Sequence, residues 1–386
     1  MPLRHQLPAW SPVTLRSLAA GLFPATDALE RLTERVRTEY GVGTVILTAS
    51  GTVALALAIR ASAPSGTRPR VALPAWACPD LMTAADTVDA EVLLYDLDPR
   101  TLSPDLDSLG RVLSRGPHAV VAVHWFGLPA DLGPLRQIAA EAGARLIEDA
   151  AQGACGRTPE GPLGAFGDYG ILSFGRGKGR TGGGGGALLA SPAVGLDAAL
   201  VAAERGLRSI AVLAAQGAFS RPWLYGVPAS IPWLGLGETH YHAPPPIAGM
   251  HRRQAAALEP VWPVAEGEGE RRRANAHRWA EALAGVSGAD VYLCPAGLTP
   301  GWLRFPIRLA DAIRGRFRSA GARQLGIMPA YPTTLDRLPV PAGRLLESSE
   351  SLRGARELAQ ALFTLPTHRH VGVGDYLKTL RLFSNT

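Results

Sequence analysis

Along its first two thirds the chain alternates between two hydrophobic rhythms. Residues 27–40 set apolar side chains three and four positions apart, the spacing that builds one face of a helix. Short apolar runs then recur at residues 44–48, 70–73, 91–95, 119–124, 144–147 and 169–174, each the length of a strand. Helical stretches lie between them, among them residues 51–61 and an amphipathic segment at 135–142 introduced by Gly133-Pro134. Strands separated by helices predict a mostly parallel sheet covered on both faces.

The rhythm changes near Tyr241. Pro244-Pro245-Pro246 breaks the chain, and residues 249–284 read as largely helical with an interruption between Pro260 and Gly269. Strands are expected near Val291 and over 305–309, alternating with helices, and a last helix over 375–383. The expected class is α/β. Residues 1–245 would form a large domain with a mostly parallel sheet between helices, and residues 246–386 a smaller C-terminal α+β domain.

Composition narrows the function classes. Hydrophobic residues make up 47% and charged residues 19%, ordinary values for a soluble enzyme. The net charge of +6 invites a nucleic-acid partner, but the positive residues are scattered. Their densest cluster, Arg271-Arg272-Arg273, follows the acidic run 266–270, and no nucleic-acid-binding signature accompanies it. An anionic small substrate fits the mild excess equally well. Three dispersed cysteines make no disulfide framework or zinc site, and His240/His242 and His368/His370 lack metal-ligand spacing. No signal-peptide core and no apolar run of membrane length is found, so a cytoplasmic location without membrane partners is expected.

Against 39 Lys+Arg residues, only Lys178 and Lys378 are lysines. A chain that writes nearly every cation as arginine has kept lysine where an amine that can lose its proton is useful. Lys178 follows the strand-like run 169–174 and precedes the glycine run 182–186. A plain polar loop residue is the competing reading. Gly177-Lys178-Gly179-Arg180-Thr181-Gly182 formally matches a dinucleotide fingerprint, but a strand-like segment follows instead of a helix. A phosphate-binding P-loop fails as well, because Gly179 stands where Ser or Thr is needed.

Two further junctions carry chemistry. Ala49-Ser50-Gly51-Thr52 joins a strand to a helix, where free backbone N–H groups and the positive helix end suit an anion; the same turn also reads as a simple N-cap by Ser50. Glu148-Asp149-Ala150-Ala151-Gln152 puts carboxylates and an amide at the C-terminal end of a buried strand, the edge where α/β sheets bind ligands. A buried Asp149 needs a cationic partner: a protonated pyridine nitrogen is one, a neighbouring arginine another.

Taken in order, these segments resemble the DegT/DnrJ/EryC1/StrS aminotransferases, fold-type-I enzymes of pyridoxal 5′-phosphate (PLP). The likeness rests on Ser50-Gly-Thr-Val-Ala-Leu55, Leu73-Pro-Ala-Trp-Ala-Cys78, Val123-His-Trp-Phe-Gly127 with Asp131, Glu148-Asp-Ala-Ala-Gln152, Gly164-Ala-Phe-Gly-Asp168 and Ser173-Phe174 followed by Lys178. It covers roughly residues 25–190. The resemblance implies Lys178 as the lysine that holds PLP and shuttles a proton, and Asp149 as partner of the pyridine nitrogen. It further implies Gln152 on the ring hydroxyl, Ser50, Gly51, Thr52 and Ser173 on the phosphate, and Arg176 as a second phosphate contact. Cys78 or Trp76 would cover the ring. His124, Tyr241 and Tyr331 become substrate-facing candidates, and a homodimer is implied.

Departures from the family pattern concern the substrate more than the cofactor. Gly184 stands where an acid is usual, and the Asn-Arg segment that reaches a neighbouring subunit is absent, with Gly237-Glu-Thr-His-Tyr241 in its place. Pro329-Ala-Tyr-Pro332 replaces a His-Tyr segment. The expected activity is amino transfer from an amino acid, such as glutamate, to a keto-sugar, nucleotide-linked by analogy. The alternatives are PLP-dependent elimination or dehydration, and a catalytically silent PLP-fold protein.

Overall fold

A computed structural model describes residues 4–194, 200, 206–231, 240–346 and 351–384. The first part of the chain runs α1 (Leu15–Leu22), α2 (Ala28–Tyr40), β1 (Thr44–Thr48), α3 (Gly51–Ser62), β2 (Arg70–Pro74), α4 (Asp80–Thr87) and β3 (Glu91–Tyr95). It continues through α5 (Leu106–Leu113), β4 (Ala119–Val123), α6 (Leu132–Glu141), β5 (Arg145–Asp149), the hairpin β6 (Arg157–Thr158) and β7 (Gly161–Pro162), β8 (Tyr169–Ser173) and β9 (Gly186–Ala190). Helices α7 (Gly206–Ala218), α8 (Pro222–Ala229), α9 (Arg252–Leu258) and α10 (Val261–Leu283) come next. The remainder is β10 (Ala289–Val291), β11 (Phe305–Leu309), α11 (Asp311–Phe317), α12 (Ala320–Gln324), β12 (Met328–Pro329), α13 (Arg353–Ala361), β13 (Leu362–Leu365) and α14 (Val373–Leu380).

The predicted elements form where their patterns place them, for reasons visible locally. Helix α2 buries Ala28, Leu32, Val36 and Tyr40, one residue per turn, and stops at Gly41, whose φ of +63° a glycine adopts without a steric penalty. Strands β4 and β9 are buried along their whole length, as expected for a sheet sandwiched between helices. The seven-stranded sheet has the order β1-β9-β8-β5-β4-β2-β3. Only β9 runs against its neighbours, so the sheet is mostly parallel. Because β8 and β9 are antiparallel, no helix has to cross over between them, and the connection is free to be the glycine-rich loop that bears Lys178.

A second, antiparallel sheet has the order β10-β11-β13-β12. The long helical segment before it differs from the expectation. The break falls at Glu259-Pro260, and α10 then continues unbroken through Gly267 and Gly269. Pro260 occupies the N-cap and Pro263 the first turn, where no N–H is required. Gly269 allows close packing: a Cβ there would stand 2.7 Å from Cys155 Cβ. Helix α9 packs with α1 and α2, and Ala255, Ala256 and Leu258 share a core with Leu172 and Phe174 of the sheet side.

Residues 4–7 are fastened to the second sheet's surroundings. Gln6 N donates to Gln324 O (2.8 Å), Gln6 Nε2 to His370 O (2.7 Å), and buried His368 Nε2 donates to Leu7 O (2.8 Å). Among the described residues, no helix is long and apolar enough to cross a membrane, and no group of His, Cys, Asp and Glu is arranged to hold a metal.

Candidate active site

One pocket opens where β4, β5 and β8 end, and it gathers most of the residues singled out from the sequence. Gly51, Thr52, Cys78, Asp149, Gln152, Ser173, Lys178 and Tyr331 all line it. The carboxyl ends of parallel strands leave such a crevice because the helices beyond them diverge there.

Asp149 is the last residue of β5 and is 7% exposed. Its Oδ1 accepts the Ala151 N–H at 2.9 Å, and no cationic side chain among the described residues bonds to it. Burial raises its pKa above the usual carboxylate range; the Ala151 N–H and the positive charge of Lys178 oppose that rise. Lys178 stands half-buried between Gly177 (φ +71°) and Gly179 (φ +83°), a turn only glycines adopt readily on both sides. The Cys78 thiol shares this neighbourhood and is pushed up to about 12, by burial first and by Asp80 second. It therefore stays neutral at physiological pH and is no nucleophile.

The start of α3 forms the opposite wall. Ser50 Oγ accepts from Val53 N at 3.2 Å, so Ser50 is the N-cap, while Gly51 and Thr52 face the pocket. Ser173, at the end of β8, lies directly against the helix start: a Cβ on Gly51 would stand 2.9 Å from Ser173 Cβ and 3.1 Å from its Oγ. Backbone N–H groups at a helix N-terminus beside a serine hydroxyl make an anion cradle.

Tyr331, just past β12, closes the pocket. Gln152 Nε2 donates to Tyr331 Oη at 2.6 Å, and the Tyr331 ring stacks on Phe126 at 6.1 Å with a 20° interplanar angle. Trp76 is fully buried behind it, its Nε1 donating to Tyr331 O at 2.8 Å. Trp76 is therefore no candidate for covering a ring in the pocket. Cys78 does reach the wall, and the aromatic faces on the pocket belong to Trp125 and Tyr331.

Three further expectations are corrected. His124 faces no substrate: it is completely buried, its Nδ1 accepts Ala130 N (2.9 Å) and its Nε2 donates to Glu148 Oε1 (2.7 Å). Glu148 also accepts from Gly164, Phe166 and Gly167 N–H groups, so the pair is a buried brace beneath Asp149. Tyr241 lies away from this pocket, its hydroxyl on the Asp86 carboxylate that also pairs with Arg344. Arg176 is exposed and does not line the pocket; its charge acts on Tyr225 and Arg304. Of the segment expected to replace the neighbour-reaching motif, residues 237–239 lie outside the described residues.

Sequence reasoning missed Trp125 and Asp80, both on the pocket wall. Asp80 opens α4 just past the end of β2, so its place at a strand–helix junction was the available signal. The missing acid at Gly184 has a packing counterpart, since a Cβ there would stand 2.7 Å from Gln254 Nε2. The Gln254 side chain fills that space.

Solved structures share this fold. Over 98% of this chain and 99% of the other, it superposes on the E. coli GDP-4-keto-6-deoxy-D-mannose-3-dehydratase with bound hydrated PLP, with a TM-score of 0.74 at 14% identity. The fold is that of the fold-type-I PLP enzymes. The sequence model of the DegT/DnrJ/EryC1/StrS aminotransferase family matches residues 14–217, and the chain belongs to that family. Among its relatives is an L-glutamine:2-deoxy-scyllo-inosose aminotransferase of Micromonospora echinospora, 28% identical over 83% of this chain and 70% of the relative. Another is a UDP-N-acetyl-3-dehydro-alpha-D-glucosamine 3-aminotransferase of Acidithiobacillus ferrooxidans, 28% identical over 73% of this chain and 68% of the relative.

Proposed function

We propose that this protein is a PLP-dependent aminotransferase that moves an amino group from glutamine or glutamate onto the keto group of a sugar or a sugar-like cyclitol in secondary metabolism. The observation that carries this reading is the meeting of Lys178, Asp149 and the α3 N-terminus around one pocket. The donor set suits the cofactor. Gly51, Thr52 and Ser173 offer N–H and hydroxyl groups to a phosphate, with glycine needed at 51 by the close approach of Ser173. Asp149, buried without a bonded cation, favours ionisation once a protonated ring nitrogen is its neighbour. Gln152 is placed to hydrogen-bond a ring hydroxyl.

PLP, when bound, supplies the carbon that carries the amino group and a ring that withdraws electrons. The Lys178 amine provides the covalent tether, then takes a proton from Cα of the donor and returns one to the former carbonyl carbon of the acceptor. Donor leaves as a keto acid, acceptor as an amine. Tyr331 and Trp125 narrow the pocket and exclude water.

The relatives support a polyhydroxylated ketone as acceptor, one carbocyclic and one nucleotide-linked. The proposal includes a cytoplasmic homodimer, supported by exposed Leu207, Trp223 and Val227 on α7 and α8. Sedimentation as a monomer at working concentrations would count against it. The main test is the visible spectrum of protein with PLP, before and after borohydride, in wild type and Lys178→Ala. The expected result is a coloured cofactor fixed to the Lys178 peptide and lost in the variant; colourless wild-type protein would sink the reading. Because the fold is shared with a dehydratase, isotope-labelled donor nitrogen separates transfer from elimination. Label retained in the product supports transfer.

A further inference from the structure

Acids at the junctions of the large sheet are generally bonded. Asp105 accepts Ser108 N (2.9 Å) at the start of α5, and Asp131 accepts Gly133 N (3.1 Å) at the start of α6. Asp168 accepts Leu146 N (2.8 Å) and pairs with Arg145 (2.9 Å). Asp80, in the first turn of α4, breaks the pattern: its side chain has no hydrogen-bond or ion-pair partner among the described residues. It is half-buried and lines the active-site pocket together with Cys78, Asp149 and Lys178. An acid in a first helical turn often does no more than complement the positive helix end. Here the same residue also stands on the wall of a site.

The backbone that carries Asp80 is held from several sides. Leu81 N donates to Cys78 O at 3.0 Å and closes the turn into α4. Just upstream, Ala75 N donates to Tyr95 O (2.8 Å), and Ala75 O accepts from Leu335 N (2.7 Å). One turn further on, Thr83 Oγ1 donates to His242 O at 3.2 Å. A group carried on a fastened element keeps its geometry toward a ligand.

The cofactor leaves this carboxylate unused. Lys178, Asp149, Gln152, Gly51, Thr52 and Ser173 account for its tether, ring and phosphate in the reading above. A carboxylate repels both that phosphate and the carboxylate of the amino donor. What it suits is a neutral group rich in hydroxyls, because its oxygens accept O–H bonds and such charge-assisted bonds are strong. We propose that Asp80 is a specificity-determining residue that accepts hydrogen bonds from ring hydroxyls of the keto acceptor. The inference rests on the aminotransferase reading of the pocket and names what that site selects. A site built to bond a hydroxyl rejects the analogue without it, since its own polar group is then left unpaired.

The test compares wild type, Asp80→Asn and Asp80→Ala. Protein loaded with pyridoxamine 5′-phosphate is titrated with pentahydroxycyclohexanone and with cyclohexanone, the analogue without hydroxyls, while the cofactor absorbance reports amino transfer. Wild type should favour the hydroxylated ketone, and Asp80→Ala should lose roughly ten- to hundredfold of that preference. Asp80→Asn keeps an acceptor oxygen and should fall between. In parallel, PLP uptake is measured, and the PLP-loaded proteins are titrated with glutamine or glutamate alone. A loss in uptake or in the donor step as large as that in the acceptor step assigns Asp80 to the cofactor and overturns the inference. So does a wild type without preference for the hydroxylated ketone, or a preference that survives both substitutions. Wild type that never takes up PLP fails the aminotransferase reading instead. Thermal shift with myo-inositol, which needs no cofactor, then reports on Asp80 by itself. Stabilisation of wild type that is lost in Asp80→Ala supports the hydroxyl contact, and equal shifts or none overturn it.

Discussion

Gln152 and Tyr331 meet across the pocket through a hydrogen bond of 2.6 Å. Gln152 lies just past β5 of the large sheet, and Tyr331 just past β12 of the small one. With the Trp76 Nε1–Tyr331 O bond, it fastens this segment to the site. Tyr331→Phe should keep the fold, because Phe126 stacks on the ring and Trp76 bonds to the backbone carbonyl. The unpaired Gln152 amide would cost about 1–3 kcal/mol. We expect kcat/KM to fall by roughly tenfold or more with cofactor uptake preserved, checked by steady-state kinetics beside the cofactor absorbance.

Asp149→Asn keeps the shape of the side chain and its contact with Ala151 N, but removes the charge. Breaking a buried ion pair costs roughly 3–5 kcal/mol. Turnover should therefore drop at least ~100-fold while Lys178 can still tether the cofactor. Single-turnover measurements of the donor half-reaction read this directly; wild-type rates in the variant would remove Asp149 from its assigned role.

Gly51→Ala probes the cradle. The added methyl would stand 2.9 Å from Ser173 Cβ, and overpacking of this kind costs about 1–3 kcal/mol. Cofactor affinity should weaken, as equilibrium titration with PLP would show. Gly110→Ala on α5 is the control: nothing lies within 4 Å of its added Cβ, so stability should hold or rise slightly.

Stability should fall as the medium turns acidic, through His368. Burial holds this histidine down to about 4, against an ordinary 6.5, while its Nε2 donates to Leu7 O. Between those values the unfolded chain binds a proton that the folded chain refuses, so unfolding is favoured as pH drops. The loss is complete below the folded value and amounts to roughly 3 kcal/mol. Thermal denaturation from pH about 7 to about 4.5 should show the decline, and His368→Gln should flatten it in that window.

The site was legible wherever its chemistry rests on the local order of strand, turn and helix. Ser50-Gly51-Thr52 reads as a strand-to-helix turn, and Asp149 as the end of a buried strand, because both are set by local hydrophobic rhythm. Trp76 and His124 misled for one reason: both sit in segments that approach the pocket, and a side chain's direction depends on packing from distant elements. Trp76 is drawn away by the Tyr331 carbonyl, 255 positions along the chain, and His124 by Glu148. The continuous α10 was illegible for a similar reason, since Gly269 is kept by the approach of Cys155 rather than by any weakness of the helix.

By itself, then, the sequence determined the alternation of strands and helices, the class of fold and the place of Lys178 in the loop after a buried strand, because periodicity and local turn chemistry act over a few residues. Tertiary structure decided which side chains share the pocket. It brought Tyr331 to Gln152 and turned Trp125 and Asp80 onto the wall. Those outcomes arise from burial and charge between residues far apart in the chain, where low dielectric and close packing, not neighbouring sequence, set the cost of each position.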